Sequence, residues 1–234
     1  MNRSPAVNAT TPIRVFLVDD HPVLLEGLRA FIDGQNDFHV CGTALDATSA
    51  MAQIEDAEPH VCVLDISLNG IHGLDLLRMI KAEYADLKIL CYSLHEELFY
   101  AERSLRSGAM GYVMKNEDPE VLLSALMKVA DDEIHVSERI GRQMLHQIAQ
   151  GNSRESASGV DLLSNRELQV IQYIGESCNN RIIAERMHVS VKTIEAHRSR
   201  IKDKLKLNTS YDLIRFAVRW VEHDSNPTKL QAIN

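Results

Sequence analysis

The sequence predicts two domains of different class. The first is an α/β domain on a doubly wound five-stranded parallel sheet, and the second a small all-α domain of four helices. Three observations predict this. Short apolar, β-branched runs alternate with amphipathic segments over the first 131 residues. A Gly- and Ser-rich stretch, GNSRESASGVD (151–161), then separates that pattern from one with helical spacing alone. The charge also changes sign: residues 1–150 hold twelve Lys and Arg against twenty-three Asp and Glu, net −11, whereas 151–234 hold thirteen against ten, net +3.

The elements follow in order. Ile13–Val18 is an apolar, β-branched run and reads as a strand. From Pro22, a residue suited to a first helical turn, Val23, Leu24, Leu28 and Phe31 fall on one helix face. Phe38–Thr43, Val61–Leu64, Lys88–Tyr92 and Gly111–Met114 read as four more strands. Amphipathic segments near 46–57, 72–84, 95–107 and 119–130 separate or follow them, with Gly108 as a helix stop. Apolar strands alternating with helices imply βαβ units, with helices on both faces of the sheet. A further helix over about 137–150 leads into the linker. The expected division is a disordered tail 1–12, an α/β domain 13–131, a connecting helix and linker 132–161, a helical domain 162–224 and a tail 225–234.

In the second domain Ser164 is a good N-cap with Glu167 as its capping-box partner, and Leu168, Ile171 and Ile174 follow at helical spacing. Asn179–Met187 and Val191–Leu207 form two more helices around His188-Val189-Ser190, with Ser190 as an N-cap, and Ser210–Val221 a fourth. A short helix, a tight turn and a longer basic helix make a helix-turn-helix, whose second helix enters a DNA major groove. Residues 181–206 carry eight basic and three acidic side chains, a balance that suits a polyanionic partner.

Composition narrows the classes. Of 234 residues, 45% are hydrophobic and 25% charged, the balance of a folded soluble protein. No apolar run approaches the roughly 20 residues of a membrane span. The polar first twelve residues lack the apolar core of a signal peptide, so a cytoplasmic location and no membrane partner are expected. Cys41, Cys62, Cys91 and Cys178 lie far apart and read as small buried hydrophobes in a reducing compartment.

The chemistry lies at strand ends, where open α/β sheets bind ligands. Asp19 and Asp20 terminate the first strand and Asp65 the third, while Ser93 ends the fourth and Lys115 the fifth. Three carboxylates at one edge repel one another and need a cation. Hard oxygen donors suit Mg²⁺, which keeps several waters and bridges to phosphate. With a hydroxyl and a lysine added, the set is one for phosphoryl transfer.

On Val18-Asp19-Asp20-His21, Leu64-Asp65, Gly73-Leu74, Ser93 and Gly111-Tyr112-Val113-Met114-Lys115, residues 13–131 resemble the flavodoxin-like receiver domain of two-component signalling. The resemblance implies that Asp65 accepts a phosphoryl group from a phosphohistidine, supplied by a sensor histidine kinase or a phosphotransfer protein. It further implies that Asp20, Asp65 and the Ser67 carbonyl hold Mg²⁺, with Asp19 acting through water. Lys115 would pair with the phosphoryl oxygens, and Ser93 and Tyr112 would form the switch. Leu68-Asn69 stands where the family usually has Met-Pro.

The second domain is similar to the LuxR-type module on Ser164, Arg166, Glu167, Asn180, Ile183, Ala184, Ser190, Thr193, Ile194, His197, Ile201, Lys204 and Leu205. Together the two resemble the NarL/FixJ class of response regulators. This implies base-facing side chains at Glu195, Ala196 and Ser199, backbone contacts from Lys192, Arg198, Arg200 and Lys202, and either phosphate or internal bonds for Thr193 and His197. Glu195 stands where relatives often carry Lys, Ile182 where an acid is common, and Ser177 where Gly is common. The implied protein is a transcription factor that dimerises on promoter half-sites, with RNA polymerase as a further partner. It is no enzyme beyond its own phosphoryl transfer and dephosphorylation. The rival readings are a small-molecule phosphohydrolase and a degenerate receiver used only for protein contacts.

Overall fold

The computed structural model describes residues 11–68, 70–94, 97–149 and 159–224, with backbone alone at 98, 99, 147, 148, 161 and 222–224. Most of the expected tails, the linker stretch 151–158 and Asn69 of the Leu68-Asn69 pair lie outside these residues.

Five strands, β1 (Ile13–Val18), β2 (Phe38–Ala44), β3 (Val61–Leu64), β4 (Lys88–Ser93) and β5 (Gly111–Met114), alternate with α1 (Pro22–Asp33), α2 (Ala47–Ala57), α3 (Gly73–Glu83), α4 (Glu97–Arg106) and α5 (Pro119–Ala130). All pair in parallel in the order β2-β1-β3-β4-β5. The expected doubly wound domain is therefore present. The order reverses at β1, which has β2 on one side and β3 on the other, so the crevice opens between the carboxyl ends of β1 and β3.

Burial follows the strand pattern. β3 is buried at every position, as a central parallel strand covered on both faces must be. Val15, Leu17, Val61, Val63 and Leu90 pack with Leu25, Leu28 and Ile32 of α1 and Leu122, Leu126 and Val129 of α5. Phe16, Val18, Cys62, Leu64, Ile89 and Cys91 face the other way, onto Ile54, Leu74, Leu77, Ile80 and Tyr100. Cys62 and Cys91 are buried, Cys41 and Cys178 half-buried, and all four are free thiols.

The connector is α6 (Glu138–Ala149), and a 3-10 turn (Gly159–Leu162) lies across the end of the expected linker. Before α6, the chain runs along the free edge of β5. The Tyr112 N–H donates to the His135 carbonyl, and the His135 N–H to the Met110 carbonyl, both at 2.9 Å. The second domain consists of α7 (Asn165–Gly175), α8 (Asn180–Arg186), α9 (Val191–Leu205) and α10 (Ser210–Asp224). Ser164 and Glu167 form the expected capping box, and the Ser190 hydroxyl accepts from the Thr193 N–H. α9 stops two residues before the expected Leu207, because Lys206 turns left-handed at φ 55° and caps the helix. α10 runs three residues past the expected Val221. No helix among the described residues is long and apolar enough to cross a membrane.

Candidate functional site

The sheet edge brings together the carboxylates read from sequence. Asp19 and Asp65 are almost fully buried, and the Asp65 N–H is anchored to the Val18 carbonyl at 2.9 Å. Lys115, itself anchored through its N–H to the Ser93 carbonyl at 2.8 Å, reaches back across the crevice. Its Nζ lies 2.5 Å from Asp19 Oδ2 and 2.8 Å from Asp65 Oδ2. Asp19 is thus bound directly by the lysine. Behind this site, Gly73 begins α3 so close to the chain that an added Cβ would strike the Asp65 carbonyl and Ile66. A larger residue there would displace the backbone of Asp65 and Ile66.

Electrostatics in the pocket are unbalanced. Burial pushes the Asp65 carboxyl up from its ordinary value; Lys115 pulls it down, Asp19 pushes it up again, and the net shift is upward. Burial opposes the charge on Lys115, but Asp65 and Asp19 outweigh it and raise the lysine. One cation among Asp19, Asp20 and Asp65 leaves an uncompensated negative charge. The donor set therefore fits a divalent cation, since carboxylate oxygens of Asp19, Asp20 and Asp65 and a ring nitrogen of His21 all lie within 4.8 Å of one another. The Ser67 N–H donates to Asp65 Oδ1 at 3.0 Å, which holds the loop carrying the Ser67 carbonyl beside that carboxylate.

Ser93 is fully buried at the end of β4 and shares a hydrogen bond with the Tyr112 hydroxyl, whose burial keeps the phenol well above its ordinary pKa. The aromatic is therefore already turned inward. In α4, sequence reading missed a residue that joins two elements. Glu97, buried in the first turn of α4, accepts from the Ser137 N–H at 2.7 Å and ties that helix to the connector. A lone glutamate in a polar segment carries no signal for this. His72 was likewise missed: it is buried, accepts from the Leu74 N–H at 3.2 Å as the cap of α3, and stacks on Tyr100 with ring centroids 6.1 Å apart.

On α9, Ile194 and Ile201 face the core, whereas Lys192, Glu195, Ala196, Ser199 and Arg200 are exposed and Lys202 half-buried. Three other expected contacts turn toward the domain. Thr193 is bonded to the Ser190 hydroxyl at 2.8 Å, and Arg198 donates to Asn180 Oδ1 at 3.0 Å. His197 is half-buried, its Nδ1 enclosed without a hydrogen-bond partner among the described residues. Burial lowers its pKa, helped by Arg200, which favours the neutral imidazole. Lys204 pairs with the buried Glu167 carboxylate at 2.7 Å and locks α9 to α7.

The two domains touch at the mouth of the acid pocket. Arg166 donates to the Gly70 carbonyl in the loop after Asp65, and the His188 ring lies beside Gly70. Asn165 donates to Asp75 Oδ1 at 3.1 Å. Arg103 of α4 donates to the Val160 and Leu163 carbonyls, each at 2.8 Å.

Comparison with known proteins accounts for both halves. Residues 15–127 match the family described as response regulator receiver domain, and residues 161–217 match bacterial regulatory proteins, luxR family. Oxygen regulatory protein NreC of Staphylococcus aureus is 31% identical over 211 residues, which cover 88% of this chain and 97% of that one. A LuxR-family two-component response regulator from Aurantimonas sp. SI85-9A1 is 29% identical over 59% of this chain and 99% of its own, with a TM-score of 0.55. RcsB from Salmonella enterica serovar Typhimurium, bound to promoter rprA in the presence of phosphomimetic BeF3⁻, shares the fold at 23% identity and a TM-score of 0.61, covering 89% of this chain and 99% of that one.

Proposed function

Because this chain belongs to the response regulator transcription factors that join a receiver to a LuxR-type DNA-binding domain, we propose that phosphorylation of Asp65 controls its dimerisation and its sequence-specific binding of promoter half-sites. The observation that carries the reading is the bridge from Lys115 to both Asp19 and Asp65 in a pocket that is short of positive charge. Asp65 Oδ attacks the phosphorus of a partner kinase's phosphohistidine. A P–O bond forms, the N–P bond breaks, and the imidazole leaves. Asp20, Asp65 and the Ser67 carbonyl would hold Mg²⁺, with Asp19 at its side, and the ion would neutralise charge on the phosphoryl oxygens. Lys115 can leave Asp65 for the new phosphoryl group while keeping Asp19. Ser93 can turn toward it, breaking the bond with Tyr112 and passing the change to α4 and, through Glu97, to the connector.

The LuxR-type domain would act as the output. Lys192, Arg200 and Lys202 form no ion pair among the described residues, which supports phosphate-backbone contacts for all three. Glu195, Ala196 and Ser199 share the exposed stripe and would face the bases. Arg198 would act through its bond to Asn180, which braces the groove between α8 and α9.

Incubation of the full chain with Mg²⁺ and acetyl phosphate tests the acceptor. One acid-labile, hydroxylamine-sensitive phosphoryl group should appear by mass and vanish in Asp65→Asn. Label retained at the same level in that variant would show that another residue is the nucleophile. The degenerate-receiver reading predicts no label in the wild type.

A further inference from the structure

We propose that His21 is a nitrogen ligand of the acid pocket, making it a site for divalent transition ions that accept imidazole as well as for Mg²⁺. The inference rests on reading Asp19, Asp20 and Asp65 as a cation pocket, and adds a donor of a different class to it. His21 Nδ1 lies 2.8 Å from Asp20 Oδ1 and 3.0 Å from Asp19 Oδ1. Two neighbouring ligands at right angles on one ion, each about 2.1 Å from it, stand about 3 Å apart. His21 Nδ1 thus already stands from each of the two carboxylate oxygens at the spacing of adjacent corners of one coordination shell.

The backbone fixes this placement. His21 is the N-cap residue of α1, in extended conformation, and its side chain makes no capping bond. Its N–H is instead held to Asp19 Oδ1 at 2.9 Å, so the ring is carried to the carboxylates by the turn between β1 and α1. The side chain remains 64% exposed, which leaves the solvent side of an ion open for water. A carboxylate–imidazole hydrogen bond has a similar length, so the distinction lies in metal chemistry. Oxygen donors suit Mg²⁺, whereas imidazole suits Fe²⁺, Co²⁺, Ni²⁺ and Zn²⁺. With His21 as a ligand, the metal held beside Asp65 depends on the supply of such ions as well as of Mg²⁺.

Co²⁺ is the probe, because an imidazole bound to it gives a strongly shifted, solvent-exchangeable N–H proton resonance. The full chain, His21→Asn and Asp20→Asn are each titrated with Co²⁺ and, separately, with Mg²⁺ by calorimetry. Asn is itself a good N-cap residue, so the substitution at position 21 spares the helix. The wild type should show one such resonance, lost in both variants; both are needed because the chain has ten histidines. Loss of His21 should weaken Co²⁺ by at least the roughly 10-fold typical for a residue supporting a metal site, and Mg²⁺ by a clearly smaller factor. A resonance that survives in His21→Asn overturns the proposal, as do equal losses for the two ions. A wild type that binds neither ion would instead refute the cation pocket itself.

Discussion

At the scale of single residues, what matters is whether a side chain suits its backbone and its neighbours. Ser177 sits at φ 63° between α7 and α8, a region where a Cβ is strained and glycine is at ease. It stands where the LuxR-type module, which the second domain resembles, commonly has glycine. Ser177→Gly should therefore raise the stability of the second domain by about 0.5–1 kcal/mol in urea unfolding. Glu195 is exposed and has no ion pair or hydrogen bond among the described residues; its neighbour Arg198 is engaged with Asn180 instead. An acid beside a polyanion gains nothing from the phosphates, so a base donor best explains it. Glu195→Ala should cost roughly 1–3 kcal/mol of discrimination at one base pair while leaving non-specific binding equal or tighter. Measured across a half-site library, an unchanged preference would reduce Glu195 to a surface charge. Lys192→Ala should weaken all DNA alike and flatten the salt dependence by about one unit. The cluster of Asp19, Asp20, Asp65 and Lys115 was legible because each ends a strand and strand ends converge. His72 and Glu97 were not, since what buries them comes from helices and loops distant in sequence.

At the scale of elements, α7 shows how a cap can organise a domain. Its Ser164–Glu167 box was readable from the three-residue spacing, but the second role of Glu167 was not: the same carboxylate receives Lys204 from α9. Burial pushes Glu167 up, but the bonds from Lys204 and from Ser164 outweigh it and hold the carboxyl below its ordinary value. A lowered carboxyl contributes stability that is fully present above the ordinary glutamate range and is lost as pH falls through the lowered value. The second domain should accordingly lose stability below about pH 4.5, and Glu167→Gln should be less stable at pH 7 and flatter toward acid. Chemical unfolding at several pH values measures both. The fourth helix, α10, has two faces. Leu213, Ala217 and Trp220 are buried against α7, where an added Cβ on Gly175 would strike Val221 and the Ala217 carbonyl. Tyr211 and Ile214 project outward, 71% and 43% exposed. The helix thus closes its own domain and still offers an apolar strip to a second copy. Replacing Ile214 by Asp should reduce dimerisation of the phosphorylated protein on paired half-sites without altering the Trp220 emission of the folded domain. Helix type and order were legible from periodicity, while the ends were set by single backbone conformations, as at Lys206, that no pattern announces.

At the scale of the whole molecule, the question is how a charge on Asp65 reaches α9. Two arginines are placed to carry it, because they join the second domain to the loop after Asp65 and to α4. Arg166 grips the Gly70 carbonyl in the loop that follows Asp65, and Arg103 projects from α4, beyond the Ser93–Tyr112 pair, to the Val160 and Leu163 carbonyls. Burial lowers the pKa of Arg166, and the Asp75 carboxylate of α3 offsets part of that shift, so the guanidinium is held to the receiver by charge as well as by its bond to Gly70. On the proposed function, a phosphoryl group that draws in Lys115 and Ser93 would shift both anchor points, and the second domain would then be held less tightly. If these contacts restrain DNA binding, weakening them should act like phosphorylation. Arg103→Gln is the cleaner variant, since it lies on the receiver, far in sequence from the α9 surface. It should raise the DNA affinity of the unphosphorylated chain by an amount within the roughly 1–3 kcal/mol usual for coupled sites, and it should shrink the further gain on phosphorylation. Coupling of binding equilibria is reciprocal, so promoter DNA should by the same factor tighten beryllofluoride binding at Asp65 in the wild type, and less so in Arg103→Gln. Anisotropy titrations with labelled half-site DNA, with and without beryllofluoride, give all four corners of this cycle. Equal DNA affinities for the wild type and the variant in both states would mean that the contacts merely pack the domains together and carry no signal.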